Sequence, residues 1–499
     1  AGQVSGFDDP SSGAITMDNT QYGTSQSSKV YAGITDARGV ATVEIKQPQG
    51  VGLKTVLSVT PVNSYLPNTV NYSVIFTTPT SPDVTGAQMW GHMDETITVD
   101  SSTFTRPKLA SEVASPDGTL TENNEIWARV SQANTSSTSK GGCDTNMLPR
   151  RSQLSALYNA NSGNAVQTAH GWPTQRQPYW SNSPADKTPH FFTIALNDGA
   201  QTIGGDTPVY VSCLKTANKP ASSITLEVVD KAQWNTGNSA ATLKKGETLQ
   251  VKVTVKDAQG NALADMPFTL NRGDGYTRSG EKHVAGSGDA LVAPVVVNGG
   301  LADETTLNDT ATVYTAMTDN DGSKILNITR PDTHGTKTAL TAMLYSDATK
   351  KSSIDTIFTV VTSPDSRLAK MWGHMPETVT AADGTVFKRP LLLKELAYQT
   401  GRTSTSEDNE NWALFNINYA SFSTTYSGCG TNYIPTQAGL TSLFANNAGN
   451  TMKTVQGWPV ATRYLSNTSD NGSMEQRNYK AVDLSNRTSA AVSSTTLEL

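Results

Sequence analysis

Two identical pentapeptides carry the side chains that most readily suggest chemistry: Met89-Trp90-Gly91-His92-Met93 and Met371-Trp372-Gly373-His374-Met375. An imidazole can ligate a metal or move a proton. A zinc-type site, however, needs three or four ligands at set spacing, and the chain has six histidines and three cysteines in all. There is no His-Glu-x-x-His helix, no Gly-x-Ser-x-Gly elbow and no phosphate-binding loop. A glycosidase pair of carboxylates, distant in sequence, would leave no local signature. The reading is therefore no enzyme, no cofactor and no metal. Trp90, His92, Trp372 and His374 are expected to pack an interdomain joint.

A second tract, Trp172 to Trp180, holds three aromatic residues and Arg176. Tryptophan, tyrosine and arginine are the usual anchors of protein interfaces. Trp172 and Trp180 also suit a core. Tyr179, Arg176 and Arg150 are the candidate binding surface. A bridge between Cys143 and Cys213 would close a loop of about 70 residues and stabilise by about 4 kcal/mol in the loop-entropy picture. Two buried thiols are the alternative. Cys429 has no evident partner.

These residues sit in a chain that repeats itself. The pentapeptides lie 282 residues apart. Each is preceded by Ser-Pro-Asp (Ser81-Pro82-Asp83, Ser363-Pro364-Asp365) and followed by a matching series: Arg106-Pro107 with Arg389-Pro390, Trp127 with Trp412, Cys143 with Cys429, Gly171-Trp172-Pro173 with Gly457-Trp458-Pro459. Upstream, Asp36-Ala37-Arg38-Gly39 matches Asp319-Asn320-Asp321-Gly322. Four domains follow: 1–83, 84–216, 221–365 and 366–499. The first is shorter than its copy by about 60 residues. It is expected to be an incomplete sandwich unless residues 1–29 supply the missing strands. Short Thr/Ser/Pro joints between domains favour an elongated rod.

Clean alternation over 249–257 predicts a strand with odd positions inward, and Asp257–Asn261 a turn. Further strands are expected at 312–318, 324–329, 338–344 and 356–361, and in the first domain at 40–45, 55–60 and 72–77. This is a β-sandwich pattern. Domains 84–216 and 366–499 read as mixed. Helices are expected over 106–114 and 148–158, and strands at 126–130, 192–196 and 209–213.

The formal net charge of −6 is small for 499 residues, and there is no basic stripe, which argues against nucleic acid. No run of 18 apolar residues offers a spanning helix, so no membrane insertion by this fragment is expected.

The run Asp257-x-x-Gly260-Asn261-x-Leu263-x-x-x-Pro267 resembles the bacterial immunoglobulin-like domains of intimin/invasin adhesins. Cys143, Leu148-Pro149, Leu154, Gly171-Trp172-Pro173, Tyr179-Trp180-Ser181 and Val211-Ser212-Cys213 resemble the C-type-lectin-like domains that follow such modules in enterobacterial outer-membrane adhesins. The second copy departs at Leu465, where the first has Trp180, and lacks the final cysteine. The resemblance implies a Cys143–Cys213 disulfide, with Cys429 unpaired. It implies a mainly β, multidomain chain of immunoglobulin-like β-sandwiches alternating with C-type-lectin-like α+β domains. It also implies display on the extracellular face of the bacterial outer membrane, anchored by a region absent from this chain. The partner would be a host-cell surface or extracellular-matrix protein, bound through the lectin-like domains by a monomer. A structural stalk or a polysaccharide-binding module is the alternative. The Glu-Pro-Asn loop and Trp-Asn-Asp strand of calcium-dependent sugar binders do not occur.

Overall fold

The computed structural model describes residues 15–17, 20–22, 31–48, 50–61, 68–185, 190–283, 293–301, 304–331, 334–397, 403–415, 429, 433–470 and 478–493. The chain divides into two compact units, Ala1–Ala221 and Ser222–Leu499. Each is described by itself.

In the first unit, β1 (Ile15–Met17), β2 (Thr20–Tyr22) and β3 (Ile45–Lys46) form a three-stranded antiparallel sheet in the order β2-β1-β3. Residues 1–29 thus do supply strands to the short first domain. β4 (Lys54–Val59) and β5 (Val70–Ile75) form a separate hairpin. The second half of the unit opens with two hairpins, β6 (Thr96–Val99) with β7 (Ser102–Thr105) and β8 (Gly118–Glu122) with β9 (Glu125–Arg129). Helices α1 (Arg151–Ala160) and α2 (Ala165–Thr168) follow. A sheet of β10 (Tyr179–Pro184), β11 (Phe191–Ile194) and β12 (Gln201–Ile203) completes it.

Helix α1 forms where expected because Leu154 and Leu157 fall on one face and are fully buried. The predicted helix over 106–114 does not form. Only one 3₁₀ turn, Ala110–Glu112, is present. Leu109 is extended and bridges Trp127. Arg106 is buried and gripped at 2.6 and 2.7 Å by Glu112, and at 2.9 Å by Glu95. A bidentate buried ion pair outweighs weak local helix propensity. The second copy repeats the arrangement: a 3₁₀ turn at Leu393–Glu395, with Arg389 held by Glu395 and Glu377. Burial alone would raise the Glu112 carboxyl. The hydrogen bonds from Arg106 and the Leu109 N–H outweigh it and hold the carboxyl below its ordinary value.

The second unit begins with β13 (Ser223–Val228), β14 (Trp234–Asn235), β15 (Ala240–Lys244), β16 (Leu249–Lys256), β17 (Pro267–Tyr276), β18 (Val295–Asn298), β19 (Thr305–Leu307), β20 (Val313–Met317), β21 (Ser323–Thr329), β22 (Lys337–Leu344) and β23 (Lys351–Pro364). They form two sheets, β13-β16-β21-β18-β19 and β14-β15-β23-β22-β17-β20. In β16 the odd positions Leu249, Val251, Val253 and Val255 are fully buried, as alternation requires. Asp257 turns the chain by accepting the Gln259 and Asn261 N–H groups, with Gly260 at φ 85°. The Asp36–Gly39 and Asp319–Gly322 turns are alike. Each closes a Gly N–H to Asp O bond of 2.9 Å.

The rest of the second unit repeats the first: β24 (Gly373–Met375), β25 (Thr378–Thr380), β26 (Val386–Lys388), β27 (Thr403–Glu407), β28 (Glu410–Leu414), α3 (Gln437–Asn446), α4 (Thr451–Thr454), β29 (Tyr464–Ser469), β30 (Asn478–Val482) and β31 (Ser489–Ser493). Among the described residues no helix is long and apolar enough to cross a membrane.

Cys143 and Cys213 are disulfide-bonded, with Cα atoms 5.5 Å apart. The segment 209–213 is held by isolated bridges, Val130 to Val209 and Tyr179 to Tyr210, rather than by a regular strand. The disulfide therefore ties down a segment with few ladder bonds. We expect reduction, or Cys143→Ser with Cys213→Ser, to destabilise the first unit by about 2–4 kcal/mol. Urea denaturation with and without reductant measures this. The second unit should be unaffected.

Candidate functional site

The hairpins β8–β9 and β27–β28 turn through Asn123-Asn124 and Asp408-Asn409. Both central residues have positive φ (54° and 65°; 51° and 67°), the geometry of a type I′ turn. Each turn is flanked by two glutamates, Glu122 and Glu125 in one copy, Glu407 and Glu410 in the other; three are buried, and Glu407 is partly buried with its side chain 8% exposed. A buried carboxylate needs hydrogen-bond donors, and here most of them are backbone N–H groups of distant loops.

Glu125 accepts the N–H groups of Gln88 and Met89, both at 2.9 Å. Glu410 accepts those of Lys370 and Met371 at 2.9 and 2.8 Å, and the Ser363 hydroxyl at 2.7 Å. These bonds fasten the start of each pentapeptide. Glu122 reaches the other way. It accepts the Thr174 and Gln175 N–H groups at 2.8 and 2.9 Å, Gln167 Nε2 at 3.0 Å and the Tyr210 hydroxyl at 2.9 Å. Glu407 likewise takes the Val460 and Ala461 N–H groups and Lys453 Nζ, at 2.9, 2.8 and 2.8 Å. The loop following each Gly-Trp-Pro is thereby held from beneath. Sequence reasoning passed over these four residues. Their signal was present, since Glu-x-Asn-Glu recurs in both copies.

The pentapeptides lie where the two halves of each unit meet. The Trp90 N–H donates to Gly52 O at 3.0 Å, and Trp90 O accepts from Thr78. The Trp372 N–H donates to Gly335 O at 2.8 Å, and Trp372 O accepts from Val360. Backbone touches backbone so closely that only glycine fits. A Cβ on Gly52, Gly91 or Gly171 would lie 1.8, 1.7 or 1.6 Å from a carbonyl oxygen of Trp90, Ser81 or Pro79. Gly335, Gly373 and Gly457 repeat this at 1.9, 1.8 and 1.8 Å. His92 is exposed and half of His374 is covered. Their Nδ1 atoms lie 2.9 and 2.8 Å from the hydroxyls of Thr77 and Thr359. Burial, then the nearby Lys244, pushes the His374 imidazole down. Trp90 and Trp372 are half-buried, and the Arg278 guanidinium lies 4.7 Å over the Trp372 ring. Among the described residues no group of three or more His, Cys, Asp or Glu is placed to hold a metal.

The expected binding-surface residues separate. Tyr179 is not on the surface. It is completely buried, donates its hydroxyl to Pro173 O and packs 5.6 Å from the Tyr210 ring. Strand β10 turns it inward beside Trp172, whose indole N–H bonds Asp94 O at 2.7 Å. Burial pushes the Tyr179 phenol well up. Trp180 is equally buried. Arg150 is half-buried, its backbone N–H bonded to Gln153 Oε1 and its Nη2 to Lys219 O. Arg176 is exposed, on the loop that Glu122 holds. Cys429 is half-buried, and burial pushes its thiol up.

Together, sandwich and repeated hairpin-and-helix module define a mainly β, multidomain protein with immunoglobulin-like domains. A family profile described as an adhesion domain, InvE_AD, matches residues 82–214 and 364–498, and one for bacterial immunoglobulin-like domain 21 matches 1–79 and 246–361. The adhesion-domain match covers more than half of the chain, and the chain belongs to this family of intimin/invasin-like adhesins. Among solved structures it is similar to the Yersinia pseudotuberculosis adhesin InvE, at 20% identity over 89% of this chain and 95% of that one, with a TM-score of 0.45. It is also similar to the D00-D0 domain of intimin, at 14% identity over 34% and 62%, with a TM-score of 0.16. No curated protein matches it.

Two predictions follow from this geometry. Gly171→Ala should cost more than about 2 kcal/mol in denaturant unfolding, because the new methyl meets a carbonyl at a left-handed φ. Gly163→Ala, also left-handed but with open space around it, should cost only about 1 kcal/mol. The second prediction concerns Asp117. Burial would raise its carboxyl, but Ser131, Asn134 and Lys140 together lower it to about 2. A carboxyl lowered by folding stabilises above its unfolded value, about 3.9, and that stability fades as pH falls toward 2. Asp117→Asn should flatten the pH dependence of the first unit's melting temperature over about pH 4 to 2.

Proposed function

We propose that this chain is a surface-displayed, non-catalytic adhesin segment. Its two adhesion modules, 84–216 and 366–499, contact a host-cell surface or extracellular-matrix protein. The immunoglobulin-like modules, 1–83 and 221–365, act as spacers. The observation that carries this reading is the adhesion-domain profile matching both modules of the duplication. Two copies on one chain give avidity once both reach the same target surface.

Within each module the loop after Gly-Trp-Pro is the favoured contact element. It leaves the core at a buried tryptophan and is fixed by a buried glutamate. In the first module it displays Arg176. A loop ordered before contact loses little entropy on binding. Bacterial outer-membrane location fits the same reading.

The test is adhesion of the intact chain to cultured host cells and to immobilised matrix proteins. We expect saturable binding that falls several-fold when Gln175-Arg176-Gln177 becomes Gly-Ser-Gly. Binding unchanged by that replacement, and by the equivalent change at 461–463, would remove these loops from the interface. Absence of binding to every host surface would argue for a structural stalk.

A further inference from the structure

Strands β13, β15 and β23 set the direction in which tension crosses the sandwich of the second unit. β15 ends at Lys244, and the chain turns back into β16 at Leu249. β13 is antiparallel to β16 over six residue pairs, from Ser223 with Lys256 to Val228 with Val251. It therefore runs the same way as β15. β15 is parallel to β23 over four pairs, from Ala241 with Thr356 to Lys244 with Thr359. Contacts advance along β23 in the same sense. The Leu226 N–H donates to Ser352 Oγ at 3.0 Å, and the Lys245 N–H to Thr359 O at 2.9 Å. The chain thus enters the sandwich at Ser223, toward the start of β23, and leaves it at Pro364, the other end of that strand.

The exit is equally direct. β23 is one strand of 14 residues, and its last part pairs in parallel with β24, Val360 with Gly373 and Pro364 with Met375. The Val360 N–H donates to Trp372 O at 3.1 Å, and Gly335 packs against the same carbonyl. A pull on the adhesion module 366–499 is therefore delivered into β23 along its axis. Opposed by a pull at Ser223, it slides β23 lengthwise past β15, and every bond between the two strands is strained at once. A hairpin pulled apart at its adjacent ends instead opens one bond at a time and yields at a lower load. The Thr359 side chain adds to the resistance. Its hydroxyl donates to Leu243 O at 3.1 Å and lies 2.8 Å from His374 Nδ1, which ties β15, β23 and β24 at one point.

We propose that the sandwich of the second unit is a load-bearing clamp, in which the parallel β15–β23 pair resists tension between Ser223 and the adhesion module 366–499. An adhesin is stretched between its own cell and its target, so the use of the clamp rests on the function proposed above. Its operation does not, because it can be measured with no partner bound. A clamp that fails with adhesion intact, or adhesion that fails with the clamp intact, separates the two readings.

The test is single-molecule force spectroscopy of the intact chain, held by its two ends. About ten Gly-Ser residues inserted in the exposed turn 345–350 mark the unfolding of this sandwich by lengthening its extension about 3.5 nm. Lifetime under constant force reports the unfolding rate. Lys245→Pro removes the N–H that bonds Thr359 O, and Thr359→Val removes the hydroxyl that bonds Leu243 O. Each should shorten the marked lifetime about tenfold, the loss of one hydrogen bond. Val297→Ala empties a fully buried position on β18, in the other sheet. It should lower the melting temperature of the second unit yet leave the marked lifetime unchanged, because its contacts still hold when the clamp gives way. Thr359→Val, which alters no backbone group, decides the matter where Lys245→Pro does not fold. The proposal is overturned by a lifetime that Thr359→Val leaves unchanged, or that Val297→Ala shortens as much as Thr359→Val does.

Discussion

A carboxylate removed from water must find donors or lose its charge, and in each adhesion module two adjacent glutamates meet that demand across a single turn. Glu125 and Glu410 draw in the backbone at the joint. Glu122 and Glu407 draw in the backbone of the loop after Gly-Trp-Pro. The type I′ turn matters because it sets these side chains directly opposite each other on paired strands, from which they reach different loops. Joint and loop are consequently referred to the same rigid hairpin.

The glycine contacts complete this frame. Hydrogen bonds alone tolerate small rotations, but a backbone pressed against another backbone does not. Gly52, Gly91 and Gly171, and their copies, let two halves of a unit meet main chain to main chain. In the second unit the 14-residue strand β23 even carries its ladder across to β24. For an adhesin this is the property that matters: a contact loop is useful only if the scaffold beneath it holds still.

Burial explains why Tyr179, expected on the surface, lies inside with Trp172 and Trp180. Trp172, Tyr179 and Trp180 are the residue types of interfaces, but they are also the largest core fillers, and a polar tip is no bar when a carbonyl lies within reach. Each here finds one: Asp94, Pro173 and Val130. Arg176, on the loop between them, stays exposed. The failed helix at 106–114 has a similar origin. Its local pattern was adequate, but Arg106 is worth more buried between two glutamates than exposed on a helical turn.

Sequence by itself determined the duplication, the strands of the second unit's sandwich with their inward positions, the turn at Asp257, helix α1 and the kinship to intimin/invasin-like adhesins. These follow from local periodicity, backbone preferences and repeated residues, all of which are legible one window at a time. The tertiary structure alone decided that both faces of β10 are buried, which glutamates are drawn inward and why the joint glycines are glycine. Each of those depends on what lies opposite in space, contributed by residues tens to hundreds of positions away, and no local pattern encodes the neighbour.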